Sequence, residues 1–313
     1  MINIGVDAMG GDHAPKAIIE GTALALPCLA PDERITLVGD EAIITQLLLE
    51  HNVNSSSVNI IHAPEVIGMD DHPTKVFTRK QNSSIVRGFM ELSAGHIDGF
   101  ASAGNTGAVM VGAMMVVKQT PGVIRPALAT CIPVDDNESN VLLDVGLNPD
   151  CRPDVLYQYG ILGSLYAKYT LGVTNPKVGL INIGEEPTKG NLVVKSAYEQ
   201  MKDSTEFNFV GNIEGGAFFT KKADVLVCDG FVGNVVLKMA ESFYRLMRRD
   251  GGNSDFAARF NPERYGGTPV LGVNRPVVKG HGASSPLAIK NMILQTREVI
   301  KSNLYEQIRQ TFS

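Results

Sequence analysis

One junction recurs along this chain and constrains its fold more than any other feature: an apolar run ends in glycine and asparagine, then passes directly into a helix-like segment. Its first instance is Ser102-Ala103-Gly104-Asn105-Thr106-Gly107-Ala108, which links the strand-like Gly99-Phe100-Ala101 to residues 106–117, apolar apart from their first positions. A stretch without a polar stripe predicts a helix buried on all sides. Asn105 is suited to cap it, because a short polar side chain satisfies N–H groups that have no partner within the helix. The N–H groups of Thr106, Gly107 and Ala108 would face whatever lies beyond the strand end, where a helix N-terminus favours negative charge. One such turn needs no explanation beyond a helix cap. The pattern returns at Lys189-Gly190-Asn191, after residues 178–183, and at Gly233-Asn234, after residues 225–229. Ligands of open α/β sheets bind outside the carboxyl ends of the strands, so these turns are expected to converge on one crevice.

Strands and helices alternate elsewhere. Residues 2–6, 34–39 and Val58–His62 carry strand patterns, and Asp40 caps a helix running to about residue 50. A helix over residues 82–94 follows the basic cluster Lys75, Arg79 and Lys80. Ala127–Pro133 and residues 141–144, separated by an acidic turn at 135–138, read as a hairpin, which makes the sheet mixed. Residues 154–171 form a long helix whose Tyr157, Tyr159, Tyr166 and Tyr169 read as packing residues. Further strands are expected at 177–183, 207–210 and 225–228, the last clear ones in the chain. Over residues 234–249 a stripe of Val236, Met239, Ala240, Phe243 and Met247 opposes Lys238, Ser242, Arg245 and Arg249. The first half of this basic amphipathic helix should pack on the core, leaving the part beyond about Phe243 to reach lipid or a partner. Asp250-Gly251-Gly252-Asn253 breaks it, and a short arm returns over 254–260. Ser285 and Pro286 open a long terminal helix carrying Ile289, Ile293, Ile300 and Leu304. The expected fold is therefore α/β: a single domain over residues 1–313, three-layer αβα around a mixed, mostly parallel sheet, with a small helical excursion at 234–262.

Composition narrows the function. A formal net charge of −5 argues against nonspecific nucleic-acid binding, and 44% hydrophobic with 19% charged residues is ordinary for a globular protein. Cys28, Cys131, Cys151 and Cys228 are far apart and form no Cys-x-x-Cys pair, so neither a zinc ribbon nor a disulfide scaffold is indicated, and a reduced cytosol is the expected setting. The opening residues have an acid at Asp7 and no basic segment, as a first strand does and a signal peptide does not. The longest apolar run, residues 107–117, falls short of the ~20 residues that span a bilayer.

Glycine-bearing strand exits hold the candidate ligand residues. In the first, Gly10 and Gly11 would let backbone approach a ligand that Asp7, Asp12 or His13 orients, although a tight turn with solvated acids accounts for the same residues. Gly104, Asn105, Thr106 and Gly107 form the second. Later exits contribute Asp144 and Asn148, then Lys189 and Asn191, then Asp229 and Asn234, and His281 stands in the glycine loop Lys279-Gly280-His281-Gly282. The loop ending in Lys189-Gly190-Asn191 is not a Walker A motif, because the lysine precedes the glycine, and no Gly-x-Gly-x-x-Gly occurs.

Together, Val6-Asp7-Ala8-Met9-Gly10-Gly11-Asp12, the turn at 102–108, Leu143-Asp144-Val145-Gly146, Asn182-Ile183-Gly184 with Lys189-Gly190-Asn191, Asp229-Gly230-Phe231 with Gly233-Asn234, and Tyr265-Gly266-Gly267 resemble the bacterial phosphate acyltransferase family, PlsX, over nearly the whole chain. The resemblance implies an enzyme of phospholipid synthesis that moves a fatty acyl group from acyl-[acyl-carrier-protein] to inorganic phosphate. It implies a fold related to isopropylmalate dehydrogenase and phosphotransacetylase. It also implies a cytoplasmic homodimer, peripheral at the inner face of the cell membrane, whose partners are acyl-carrier protein, an anionic membrane surface and a membrane glycerol-3-phosphate acyltransferase.

The residues suit that chemistry. Phosphate is already an anionic nucleophile, so attack on a thioester needs positioning and oxyanion stabilisation more than a protein nucleophile, and no metal or other cofactor is expected. Lys189 would neutralise phosphate, Asn234 would donate to phosphate or to the developing oxyanion, and Asn105 to Gly107 would present backbone N–H groups; His13 and His281 are secondary. The alternative on the related fold is a metal- and NAD-dependent decarboxylating dehydrogenase. It requires clustered arginines for a dicarboxylate and paired aspartates for a divalent metal, and neither is evident. A non-catalytic anion- or membrane-binding protein would not need Lys189 and Asn234 at separate exits.

Overall fold

The computed structural model describes residues 1–134, 138–251 and 255–313, so Asp135-Asp136-Asn137 of the acidic turn and Gly252-Asn253-Ser254 of the helix break lie outside the described residues. In chain order the main elements are β1 (Ile2–Asp7), α1 (Lys16–Ala25), β2 (Glu33–Gly39), α2 (Glu41–Glu50), β3 (Val58–His62), α3 (Pro73–Arg79), α4 (Ser84–Ala94), β4 (Gly99–Ser102), α5 (Thr106–Gly112), β5 (Ala127–Pro133), β6 (Ser139–Leu143), α6 (Pro153–Leu171), β7 (Lys177–Ile181), α7 (Leu192–Met201), β8 (Asn208–Ile213), β9 (Val225–Val227), α8 (Gly230–Arg249), α9 (Asp255–Ala258), β10 (Gly267–Leu271), β11 (Val277–Gly280), α10 (Pro286–Lys301) and α11 (Leu304–Phe312). They gather into two compact units, one of Met1–Gln119 with Pro262–Lys301, the other of Thr120–Asn261 with Ser302–Ser313.

In the first unit the strands run β3-β2-β1-β4-β11-β10, parallel except for β10. Period-two alternation gives each strand two faces. Ile4, Val6, Ala101 and Val278 bury against Ile18 and Ile19 of α1 and Ile289 and Ile293 of α10. On the other face Phe100 meets Phe89 of α4, with ring centroids 5.1 Å apart. Asp40 caps α2 as its sequence predicts, accepting from the N–H groups of Ala42 and Ile43 at 3.0 and 3.1 Å. The apolar stretch after Asn105 is helical but not buried on all sides. It passes from α5 into a π-helical extension, Ala113–Lys118, where Met114 and Met115 are 48% and 66% exposed. The wider π turn rotates residues away from the phase that the α-helix set, so apolar content alone did not fix which way they face. The sequence also gave no sign of β10 and β11: Pro269 interrupts one, and the other is four residues long with a lysine in it.

The second unit orders its strands β5-β6-β9-β7-β8, with β5 antiparallel to β6 and the rest parallel. The expected hairpin is therefore present. Tyr159 and Tyr166 of α6 are buried packing residues. Several boundaries differ from expectation, among them β8, which runs on to Ile213 and not to residue 210, and β6, which begins at Ser139. β7 ends at Ile181, two residues early. α8 begins at Gly230 with Asp229 as its cap, so Asn234 lies inside the helix and not at its start. The terminal helix splits, because Asn303 adopts a left-handed conformation (φ 55°) and Leu304 opens α11. Of the predicted stripe of α8, Met239, Phe243 and Met247 are exposed and Val236 and Ala240 half-buried; Phe231 and Val235 are exposed as well, and Gly230, Gly233 and Glu241 are the buried residues of the helix. The first half of that helix is thus only partly packed on the core, where its sequence suggested full packing.

Candidate active site

Sheet order reverses between β1 and β4 of the first unit, the position at which open α/β sheets bind ligands. Asp7 ends β1 there and is fully buried. Its Oδ2 accepts from Ser102 Oγ at 2.6 Å and its Oδ1 from the N–H of Met9 at 3.1 Å. Ser102 Oγ in turn accepts from the N–H of Gly104 at 3.0 Å. Burial pushes the Asp7 carboxyl above its ordinary value, while the hydroxyls of Ser102 and Ser84, the N–H of Met9 and the charge of Lys279 pull it back. Asp7 therefore acts inward. A Cβ at Gly10 would strike its carboxyl and come within 2.8 Å of the Cα of Gly104, so the two exit loops cross backbone against backbone. The N–H of Asp12 donates to the carbonyl of Gly282 at 2.8 Å, tying the β1 exit to the β11 exit.

Asn105 caps α5 through Oδ1, which accepts from the N–H of Ala108 at 2.9 Å. Its Nδ2 donates to the carbonyls of Gly68, Met69 and Asp71 at 3.2, 2.8 and 3.1 Å. The side chain is fully engaged, and the N–H groups of Thr106 and Gly107 are first-turn groups without an intrahelical acceptor, Thr106 exposed and Gly107 half-buried against Pro73 of α3. Asp12, His13, Thr106 and His281 are exposed around these exits. His281 is held in its loop by the N–H of Ala283, 3.2 Å from its Nδ1.

In the second unit β6, β9 and β7 are parallel neighbours, so their exits share one carboxyl edge. Asp144, just past β6, accepts from the N–H groups of Leu128, Gly146, Leu147 and Asn148 at 3.0, 3.2, 3.2 and 2.7 Å. Asn148 Nδ2 donates to it at 3.2 Å, to Tyr159 Oη at 2.8 Å and to the Pro126 carbonyl at 2.7 Å. Burial raises the carboxyl of Asp144 and these donors lower it. Asp144 and Asn148, both predicted as ligand residues, form a buried knot that shapes the exit. The start of α8 docks on that knot. The N–H of Gly230 donates to the Asn148 carbonyl at 2.7 Å, Asp229 Oδ1 accepts from the N–H of Val232 at 2.8 Å, and a Cβ at Gly233 would collide with the Asp144 carbonyl.

Asn234 is exposed, its Nδ2 3.3 Å from the Val145 carbonyl. The β7 exit is closed by Asn182, whose Nδ2 donates to the Lys189 carbonyl at 3.1 Å, and Asn191 caps α7 by accepting from the N–H of Val194 at 2.9 Å. Lys189 is exposed, and no ion pair to its ammonium occurs among the described residues. Beside Asp144, burial pushes the thiol of Cys228 well up and that of Cys151 to about 11, so neither is a thiolate nucleophile at neutral pH. Among the described residues, no three His, Cys, Asp or Glu side chains are grouped to hold a metal ion.

The structure thus divides the candidates. Asp7, Gly10, Gly11, Asp12, His13, Gly104, Asn105, Thr106, Gly107 and His281 belong to the first unit, and Asp144, Asn148, Lys189, Asn191, Asp229 and Asn234 to the second. Sequence reasoning passed over Ser102 and Lys279. Ser102 stood inside a quoted motif, two residues before Gly104, but its partner Asp7 is 95 residues away.

A family model described as "Fatty acid synthesis protein" matches residues 2–249. The phosphate acyltransferase of Desulforamulus reducens is 42% identical to this chain, over 99% of it and 97% of the relative. Among solved structures, a phosphotransacetylase from Streptococcus pyogenes superposes with a TM-score of 0.67 at 18% identity, covering 95% of this chain and 94% of that one. A 4-hydroxythreonine-4-phosphate dehydrogenase from Klebsiella pneumoniae superposes with a TM-score of 0.57 at 14% identity, covering 96% and 97%. At those identities the two structures speak for the three-layer α/β fold alone.

Proposed function

Since the chain belongs to the phosphate acyltransferase family, we propose that it transfers a fatty acyl group from acyl-[acyl-carrier-protein] to inorganic phosphate, giving an acyl phosphate for phospholipid synthesis. A phosphate oxygen attacks the thioester carbonyl, the new C–O bond forms as the C–S bond breaks, and the carrier thiol leaves with a proton. The observation that carries this reading is the composition of the β7 exit. The ammonium of Lys189 stands between Ile183 and Leu192 in the chain, which are 82% and 85% exposed. A cation flanked by uncovered apolar residues suits a reaction that joins an anion to an acyl chain. Lys189 neutralises phosphate and Asn234, acting through its side chain from within α8, donates to phosphate or to the developing oxyanion. The first unit, by itself, offers anion donors of its own in the N–H groups of Thr106 and Gly107, with His13 and His281 beside them.

The test is incubation with acyl-carrier-protein thioester and phosphate, with acyl phosphate trapped by hydroxylamine. Acyl phosphate should form in excess chelator and without nicotinamide. Loss under chelation that a divalent ion restores would favour the dehydrogenase alternative instead.

No helix among the described residues is long and apolar enough to cross a membrane. The reading extends to a cytoplasmic homodimer that touches an anionic membrane through the far half of α8, where exposed Phe243, Leu246 and Met247 accompany Arg245, Arg248 and Arg249.

A further inference from the structure

We infer that Asp7, Ser102 and Lys279 form a positioning row that fixes the backbone donors of the first unit's phosphate-binding turn, a role that rests on the acyltransferase reading above. β1, β4 and β11 are adjacent and parallel, with Val6 opposite Ala101, Ala101 opposite Val278, and Ser102 opposite Lys279. One residue beyond Val6 and Ala101, the next rung is therefore Asp7, Ser102 and Lys279, on the face turned away from α1 and α10. All three are buried, at 0%, 0% and 7% exposure.

Each turns back on its own exit. Asp7 accepts from the N–H of Met9, Ser102 accepts from the N–H of Gly104, and Lys279 Nζ donates to the carbonyl of Gly280. With Asp7 ionised, the direction of the central link follows from the proton count. Ser102 has one hydroxyl proton and gives it to Asp7, so its oxygen is left to accept from Gly104. A buried carboxylate persists only when its charge is answered, and here Ser102, Ser84 and the N–H of Met9 answer it, with the charge of Lys279 adding a smaller share from the next strand but one. The row thus converts a buried acid into a fixed position for Gly104, and Gly104 immediately precedes Asn105, Thr106 and Gly107. The bond from Asp12 to Gly282 joins the outer two exits, so the three loops form one platform. Ser102 and Lys279 are positioning residues here: they act on phosphate through the N–H groups that they hold in place.

The experiment titrates phosphate at saturating acyl thioester for the wild type, for Ser102→Ala, and for the charge-neutral pair Asp7→Asn with Lys279→Met. Losing the aim of one N–H to an anion should raise the KM for phosphate roughly tenfold in Ser102→Ala. The KM for thioester should hold, and kcat should stay within about threefold, the pattern of lost ground-state binding. The pair variant should move the same parameter in the same direction. A row that served folding alone would lower kcat through loss of active protein and leave the KM for phosphate unchanged, and that outcome overturns the inference. If the pair variant does not fold, Ser102→Ala decides. If the wild type forms no acyl phosphate, the acyltransferase reading fails separately, and calorimetric titration with inorganic phosphate then decides: weaker binding by Ser102→Ala supports the row, whereas equal binding or none overturns it.

Discussion

Asp7 in the first unit and Asp144 in the second are both buried carboxylates at the carboxyl end of a parallel strand, and burial pushes both above their ordinary value. Their partners differ. Asp7 is answered chiefly by side chains, the hydroxyls of Ser102 and Ser84, then by the single N–H of Met9 and the charge of Lys279, whereas Asp144 is answered by four backbone N–H groups and one amide. An acid wrapped in backbone donors is part of the path of the chain, and one held by side chains is part of a network that single substitutions can retune. What each edge shows to solvent differs as well. The first unit presents backbone N–H groups with His13 and His281, while the second presents the side chains of Lys189 and Asn234. The two edges thus offer different kinds of donor, backbone N–H groups at one and exposed side chains at the other.

The contrast can be broken most sharply at the exposed side chains of the second edge. Lys189→Ala or Asn234→Ala should each reduce kcat roughly 10²–10³-fold if they stabilise transition-state charge, with an unchanged melting temperature. Near-wild-type turnover at saturating phosphate would remove that residue from the mechanism and leave the second edge with no chemical role. The next test concerns stability. Asp144→Asn should lower the unfolding free energy by about 2–3 kcal/mol, because its amide turns donors towards donors, while Ser102→Ala should cost about 1 kcal/mol. Urea unfolding at neutral pH compares them, and a larger loss for Ser102→Ala would reverse the distinction between the two acids.

The helix that springs from the second edge gives a smaller effect. Arg245→Glu with Arg248→Glu should weaken flotation with anionic liposomes by about 1 kcal/mol per lost charge and leave turnover in solution intact. Unchanged flotation with a monomeric protein would assign α8 to a subunit contact.

Glu33, where β2 begins, supplies the smallest test and a control remote from both exits. Burial raises its carboxyl, but Lys301, the N–H of Ala30 and Arg297 outweigh this, and its folded-state value is lowered from the ordinary 4.5. A depressed value contributes stability above the unfolded pKa and loses it as pH falls through the folded one. Glu33→Gln should therefore be less stable than wild type near neutral pH, by about 1 kcal/mol, with the gap closing below pH 4.5. A gap that widens on acidification would contradict the assignment.

Much of both edges was legible from local chemistry. Asp40, Asn105 and Asn191 cap their helices as their positions suggested, because a cap joins a side chain to N–H groups two or three residues ahead. Asn234 carries the same Gly-Asn signature and is no cap. Asp229 competes for that role five residues earlier, and the choice depends on Gly233 fitting against the Asp144 carbonyl, a contact with a distant part of the chain. The side of α8 that stays uncovered was not legible either, since an apolar stripe states that a face exists and not what covers it.

The sequence by itself determined the α/β alternation, most strand ends, the helix caps and the family. Each depends on residues within a turn or two of one another, or on motifs kept whole in the chain. Only the tertiary structure decided that Asp144 and Asn148 face inward, that Lys279 lies on a strand, and that this strand sets it level with Ser102 and one rung from the β1 core. The relations among Asp7, Ser102 and Lys279 link residues 95 or more positions apart, through the register of neighbouring strands. Register is a property of the assembled sheet, where a shift of one residue turns every side chain to the opposite face.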